Sequence, residues 1–128
     1  MDASELWIAI LDASRDGDRK RVAELLDLGA EPDSPYILSG YTPLHNAIAA
    51  RDAEMVALLL DHGADIEHCN NTVGQSPLLT AVLVGSTGIV QLLLDRGADP
   101  QLSDKDDESV ADVARTEGFP EIAALLER

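Results

Sequence analysis

Gly40-Tyr41-Thr42-Pro43-Leu44-His45-Asn46-Ala47 is the stretch that decides how this chain folds. Thr42 suits a helix N-cap, because its hydroxyl can accept a bond from a free backbone N–H of the first turn. Pro43 then takes the first helical position, where a missing N–H costs nothing. His45 stands three residues after the cap and can turn its ring back toward Thr42, as the Glu of a capping box does. Leu44, Ala47 and Ile48 give the short helix an apolar side of small and medium residues.

Outward from this stretch the chain repeats. Leu28-Gly29-Ala30-Glu31, His62-Gly63-Ala64-Asp65 and Arg96-Gly97-Ala98-Asp99 recur with their glycines 34 positions apart, each preceded by a leucine pair (Leu25-Leu26, Leu59-Leu60, Leu93-Leu94). Thr42-Pro43-Leu44 recurs 34 residues on as Ser76-Pro77-Leu78, and weakly 33 further on as Ser109-Val110-Ala111. Gly17, Gly85 and Gly118 mark a tight turn inside three units, with Arg51 in the matching place of the second. Three registers that agree on one spacing predict units of helix, turn, helix, glycine stop and polar excursion. In the second unit the helices are expected over residues 43–50 and 53–62. There Met55, Val56, Leu59 and Leu60 make one apolar face, as Ile89, Val90, Leu93 and Leu94 do in the third unit. Gly63 suits the left-handed residue that ends a helix.

The stretch from Thr42 to Ala47 resembles the Thr-Pro-Leu-His-x-Ala signature of ankyrin repeats. The resemblance covers nearly the whole chain as one domain, 1–128, with four units at about 1–32, 33–66, 67–100 and 101–128. It implies an all-α solenoid of antiparallel helix pairs, stacked into a slightly curved slab with hairpin or loop fingers along one edge. Stacking supplies the core that no pair could bury alone. Thr42, Pro43, Leu44, His45 and Ala47 carry the motif, with Ser76, Pro77 and Leu78 as its second copy and Gly29, Gly63 and Gly97 as stops. The departures fall mostly at the ends. The first unit has Ile8-Ala9-Ile10-Leu11 instead of the motif, with Asp2 and Glu5 spaced for capping. The fourth has Asp112 in place of the histidine and charged outward positions at Arg115, Glu117, Glu121 and Glu127. Both read as end caps of a complete array. In the third unit Leu79 replaces the histidine, so apolar packing is expected to substitute for its bonds. From Gly29 to Thr42 and from Gly63 to Ser76 the interval is 13, against 12 from Gly97 to Ser109, so the first two fingers carry one extra residue.

Composition narrows the function. With 128 residues but one Trp, two Tyr and one Phe, the core must be built from Leu, Ala, Val and Ile at close helix spacing. Twenty-four acidic against nine basic residues leave a formal charge of −15, a field that repels phosphate backbones and anionic lipid. No nucleic-acid or membrane partner is expected; the expected partner is another protein, basic if charge steers the encounter. A lone Cys69 rules out an internal disulfide and suits a reducing compartment. No run approaches the ~20 apolar residues of a membrane span. Asp2 and Glu5 stand where a signal peptide needs positive charge, so a cytoplasmic, monomeric protein is expected.

Catalytic chemistry finds little footing. His45 serves a helix start, and His62 sits in the last turn of a helix, where positive charge is favourable. His62, His68 and Cys69 fit no zinc spacing, and the adjacent His68 and Cys69 side chains diverge in a loop. The acidic run Asp104, Asp106, Asp107 and Glu108 lacks the ligand spacing and central glycine of a calcium loop. No enzyme activity, cofactor or metal is expected, with an enzyme or metal site at His68 and Cys69 as the remote alternative.

Recognition surface remains. The resemblance implies a concave face made by finger tips and the exposed side of each first helix. The residue before each cap reads Trp7, Tyr41, Gln75 and Glu108, and the late pair in the third unit's first helix is Leu83 and Val84. The first finger adds Tyr36, Ile37 and Leu38, and the second adds Val73. Exposed aromatics are the commonest energetic anchors of interfaces, and here both tyrosines and the only tryptophan fall at one end of that face. The expected partner-binding set is Trp7, Tyr36, Leu38, Tyr41, Val73, Gln75, Leu83 and Val84. The competing reading has Tyr36, Ile37 and Leu38 pack on one another or on Trp7 simply to hold the finger. The expected function is a non-catalytic protein-binding module; the alternative is an acidic inhibitor or immunity-type protein that occludes a basic enzyme or toxin.

Overall fold

The computed structural model describes residues 1–37, 39–68, 74–101, 103 and 107–128. Among them the chain forms eight helices in four pairs: α1 (Ala3–Asp16) and α2 (Arg19–Asp27), α3 (Pro43–Ala49) and α4 (Ala53–Asp61), α5 (Pro77–Val84) and α6 (Thr87–Asp95), α7 (Val110–Thr116) and α8 (Pro120–Leu126). Each start is written in the sequence. Asp2, Asp18, Thr42, Asp52, Ser76, Ser86 and Ser109 each accept a bond from the backbone N–H three residues on. Only α8 begins without a side-chain cap, on Pro120 at its first turn. In the second unit Ala50 and His62 are C-cap residues, so both helices end one residue earlier than expected.

Two backbone devices set the repeat. Between the helices of each pair the chain passes through a left-handed residue: Gly17 (φ 71), Arg51 (φ 59), Gly85 (φ 71) and Gly118 (φ 85). Arg51 holds that conformation despite its Cβ, and its guanidinium donates to the Val84 carbonyl at the end of α5. After α4, Ala64 N–H donates to Leu59 O (3.0 Å) and Gly63 N–H to Leu60 O (3.1 Å), the paired bonds of a Schellman stop. The same pair recurs after α2 and α6.

First helices pack on first helices and second helices on second, so the pairs stack in register. The core is the aliphatic one that the composition requires: Leu25, Leu59 and Leu93, 34 apart, are fully buried, with Ile10, Leu44, Ile48 and Leu78 between the layers. Removing one such leucine side chain costs about 2–5 kcal/mol. Leu79 is buried, as apolar substitution for the histidine requires, yet Ser76 still caps its N–H at 3.1 Å. Arg115, Glu117, Glu121 and Glu127 are exposed. Phe119 lays its ring on the Gly85 turn, so a Cβ there would lie 2.6 Å from Phe119 Cζ.

The fingers are tight loops, with no continuous strand ladder among the described residues. In the first, Gly40 N–H donates to Tyr36 O and Tyr36 N–H to Tyr41 O, both at 2.8 Å. The third closes on a single antiparallel bridge between Ser103 and Ser109. Neighbouring fingers are tied at their roots: the Asp33 carboxylate accepts from Asp65 N–H (2.9 Å), and Glu67 accepts from Asp99 N–H (3.4 Å), the same bond one repeat later. Leu38, Cys69, Val73, Asp104 and Asp106 lie outside the described residues.

Candidate functional site

His45 is the hub of the motif. Its Nδ1 accepts from Thr42 N–H (3.2 Å) while the Thr42 hydroxyl receives His45 N–H (3.5 Å), which closes the expected capping box. Its Nε2 lies 2.8 Å from the Gln75 carbonyl, an acceptor only, so the ring is neutral with its proton on Nε2. Burial pushes the imidazole below its usual value and outweighs the opposing bond to Gln75; the His68 ring stands 6.1 Å away, edge-on. The bond to Gln75 crosses from the second unit to the third, so the residue that starts one helix also positions the next. Tyr41 packs edge-on against the His45 ring at 5.2 Å, and its hydroxyl donates to Gln75 Oε1 (3.4 Å), which also accepts from the Thr80 hydroxyl (3.2 Å).

The first finger is moored to α1. The Trp7 indole N–H donates to Pro35 O (3.2 Å), and the Tyr36 hydroxyl donates to Leu11 O (3.1 Å). Burial holds the Tyr36 phenol above its usual value. The Arg15 guanidinium sits 5.8 Å from the Tyr36 ring centre and pairs with Asp12 at 3.4 Å. On the other side, the Asn46 amide donates to Ser14 O (3.1 Å) and the Ser39 hydroxyl accepts from Tyr41 N–H (3.1 Å). Trp7 and Tyr36 thus hold the finger through these two bonds, while both remain only half-buried. Ile37, at the tip, is 78% exposed.

Two adjoining grooves result. The first, about 440 Å³, runs from Arg15 and Tyr36 across Tyr41, His45 and Gln75 to Leu83 and Val84. The second, about 570 Å³, lies between α1 and the finger, lined by Trp7, Ile8, Leu11, Tyr36 and Ile37. Arg15, Tyr36 and Ser39 belong to both. The structure therefore gathers Trp7, Tyr36, Tyr41, Gln75, Leu83 and Val84 onto one surface; Leu38 and Val73 fall outside the described residues. Ile8, Ser39, Asn46 and Thr80 also line it without having been singled out. The register held the signal for some of them: Asp12, Asn46 and Thr80 are 34 apart, as are Arg15, Ala49 and Leu83. The polar groups of the surface are amides, hydroxyls and the Arg15–Asp12 ion pair, and both His45 nitrogens are engaged. Such a lining recognises by hydrogen bonds and apolar contact.

A family model described as ankyrin repeats, three copies, matches residues 9–104. The chain belongs to the ankyrin-repeat family. The match begins inside α1 and stops short of α7 and α8, where the motif survives only weakly as Ser109-Val110-Ala111. Compared with the curated proteins, the chain finds no match. Ankyrin repeats generally mediate protein–protein interaction and are typically non-catalytic. Among the described residues no helix is long and apolar enough to cross a membrane.

Proposed function

We propose that this ankyrin-repeat chain is a non-catalytic binding module that holds one partner protein in the paired grooves of its concave face. The observation that carries the reading is convergence. Trp7, Tyr36 and Tyr41, the chain's indole and both its phenols, meet Leu83 and Val84 on one continuous surface. In a chain with one other aromatic residue, that concentration favours recognition over packing alone. The lone cysteine suits a reducing compartment such as the cytoplasm.

The experiment is affinity capture from the native lysate with mass spectrometry, repeated with Ile37→Ser/Leu83→Gln. Both side chains are exposed, and both replacements leave the charge unchanged. The expected result is loss of the captured partner with an unaltered helical melting curve. Undiminished capture by the variant would overturn the site.

The charge of −15 favours a second, narrower reading, an inhibitor that occludes a basic enzyme or toxin. Steering of this kind accelerates association and fades as salt screens it. An association rate that salt leaves unchanged would remove this reading and leave the first standing.

A further inference from the structure

The two grooves are a pair divided by a ridge. Tyr36 makes the ridge, fixed from below by its hydroxyl on Leu11 O, with the Arg15 guanidinium against its ring and the Asp12 carboxylate beside Arg15. Each side of the ridge has an unfilled apolar wall. Ile8 and Ile37 are 55% and 78% exposed on one side; Leu83 is 36% exposed on the other. A single bulky anchor would fill one groove and leave the other wet.

Charge on this face is one-sided. Arg15 is paired with Asp12, Arg115 with Asp112 and Glu127, and Arg51 is committed to the Val84 carbonyl. Asp16 and Glu117, just past Arg15 and Arg115 at the ends of α1 and α7, are exposed without a cation partner among the described residues. Among the described residues of the first helices and their turns, the free charges are therefore carboxylates and no guanidinium is unpaired.

Spacing then selects the conformation. The two grooves meet at Arg15, Tyr36 and Ser39, so side chains that fill both must stand close together on one segment. A polyproline II segment returns to the same face every three residues, about 9 Å along.

We propose, resting on the binding reading above, that the occupant is an extended partner segment with two apolar side chains at i and i+3, astride the Arg15–Tyr36 ridge, flanked by lysine or arginine. The apolar pair fills the two grooves, and the basic flanks meet Asp16, Glu117 and the field of the whole chain.

The test is selection of displayed random peptides of about 12 residues, long enough in extended form to span the trough, against the full chain. Winners are then measured against Ile37→Ser and Leu83→Gln separately. The expected result is enrichment of two apolar residues three apart between basic flanks, weakened about tenfold by either replacement and weakened by salt. Enriched peptides with acidic flanks, with one apolar anchor, or with anchors seven apart as on a helix would overturn the proposed segment and leave the docking face intact. Sensitivity to only one of the two replacements would do the same. Peptides indifferent to both replacements, or no enrichment at all, would overturn the face itself and with it the binding reading.

Discussion

Gly17 and Gly85 form a matched pair in which backbone strain and side-chain contact separate cleanly. Both sit at φ 71 as the left-handed residue of an interhelical turn. At Gly17 a Cβ would meet nothing within 4 Å, whereas at Gly85 it would lie 2.6, 2.8 and 3.2 Å from three carbons of the Phe119 ring. Gly17→Ala therefore carries only the left-handed penalty of an alanine, about 1–1.5 kcal/mol. Gly85→Ala carries that penalty and must also push the ring back by about 1 Å, because carbon atoms rest at about 3.5–4.0 Å. For a half-buried ring the displacement adds about 1 kcal/mol, giving about 2–3 kcal/mol in total. Urea unfolding followed by far-UV circular dichroism should place Gly85→Ala clearly below Gly17→Ala. Combining Gly85→Ala with Phe119→Leu should cost about 1 kcal/mol less than the sum of the two changes, since the contact can be lost only once. Equal destabilisation by the two alanines, or strict additivity with Phe119→Leu, would refute the seating of Phe119 on the turn.

Three further outcomes follow from the site. Because burial lowers the His45 value below 6.5, the unfolded chain takes up that proton first as pH falls. The neutral-ring contribution is then whole above pH 6.5 and lost below it, at up to about 1.4 kcal/mol per pH unit. The stability difference between the natural chain and His45→Gln should shrink accordingly between pH 7.5 and 5, and a difference independent of pH would contradict a neutral buried imidazole. Burial raises the Glu67 value above 4.5, so its ionised form is disfavoured by folding at neutral pH, and one of its carboxylate oxygens is buried without a hydrogen bond. Glu67→Gln keeps an acceptor for Asp99 N–H and should raise the urea midpoint at pH 7; a lower midpoint would rule out that cost. Tyr36→Phe removes the donor to Leu11 O and should cost about 1 kcal/mol, whereas an unmoved melting temperature would show that the finger is held by other contacts.

Much of the fold was legible because its determinants are local. Caps, the proline at N1, the glycine stops and the leucine pairs each act within one turn of helix, and each recurs at a spacing that can be counted. Even Arg51 could be assigned to a glycine's place from the register alone. The end helices were legible for the same reason: Asp2 caps α1 with no help from the missing motif. The site was legible only as a set of positions. Trp7, Tyr36 and Tyr41 stood out as rare aromatics, but their attachments depend on distances across units that no local pattern encodes. The bonds from Trp7 to Pro35 and from Tyr36 to Leu11 span 28 and 25 residues, and the bond from His45 to Gln75 spans 30. The double role of Tyr36, as mooring and as ridge, therefore emerges only when α1 and the finger are brought together. Thr80 and Asn46 were hidden for a different reason, since as polar helix residues they look like ordinary solvated surface until the register aligns them with Asp12.

The groove between α3 and α5 is clamped at both ends. His45 bonds the Gln75 carbonyl where the two helices begin, and Arg51 bonds the Val84 carbonyl where they end. A cleft fixed in this way has little conformational freedom left to lose when it is filled. Most of the ordering cost of association then falls on the incoming segment, at about 0.5–1.5 kcal/mol for each mobile side chain it immobilises. Among ligands with identical contacts, the one already stiff before it arrives should stay bound longest, so a proline between the two anchors would lengthen residence without adding a single contact to the surface.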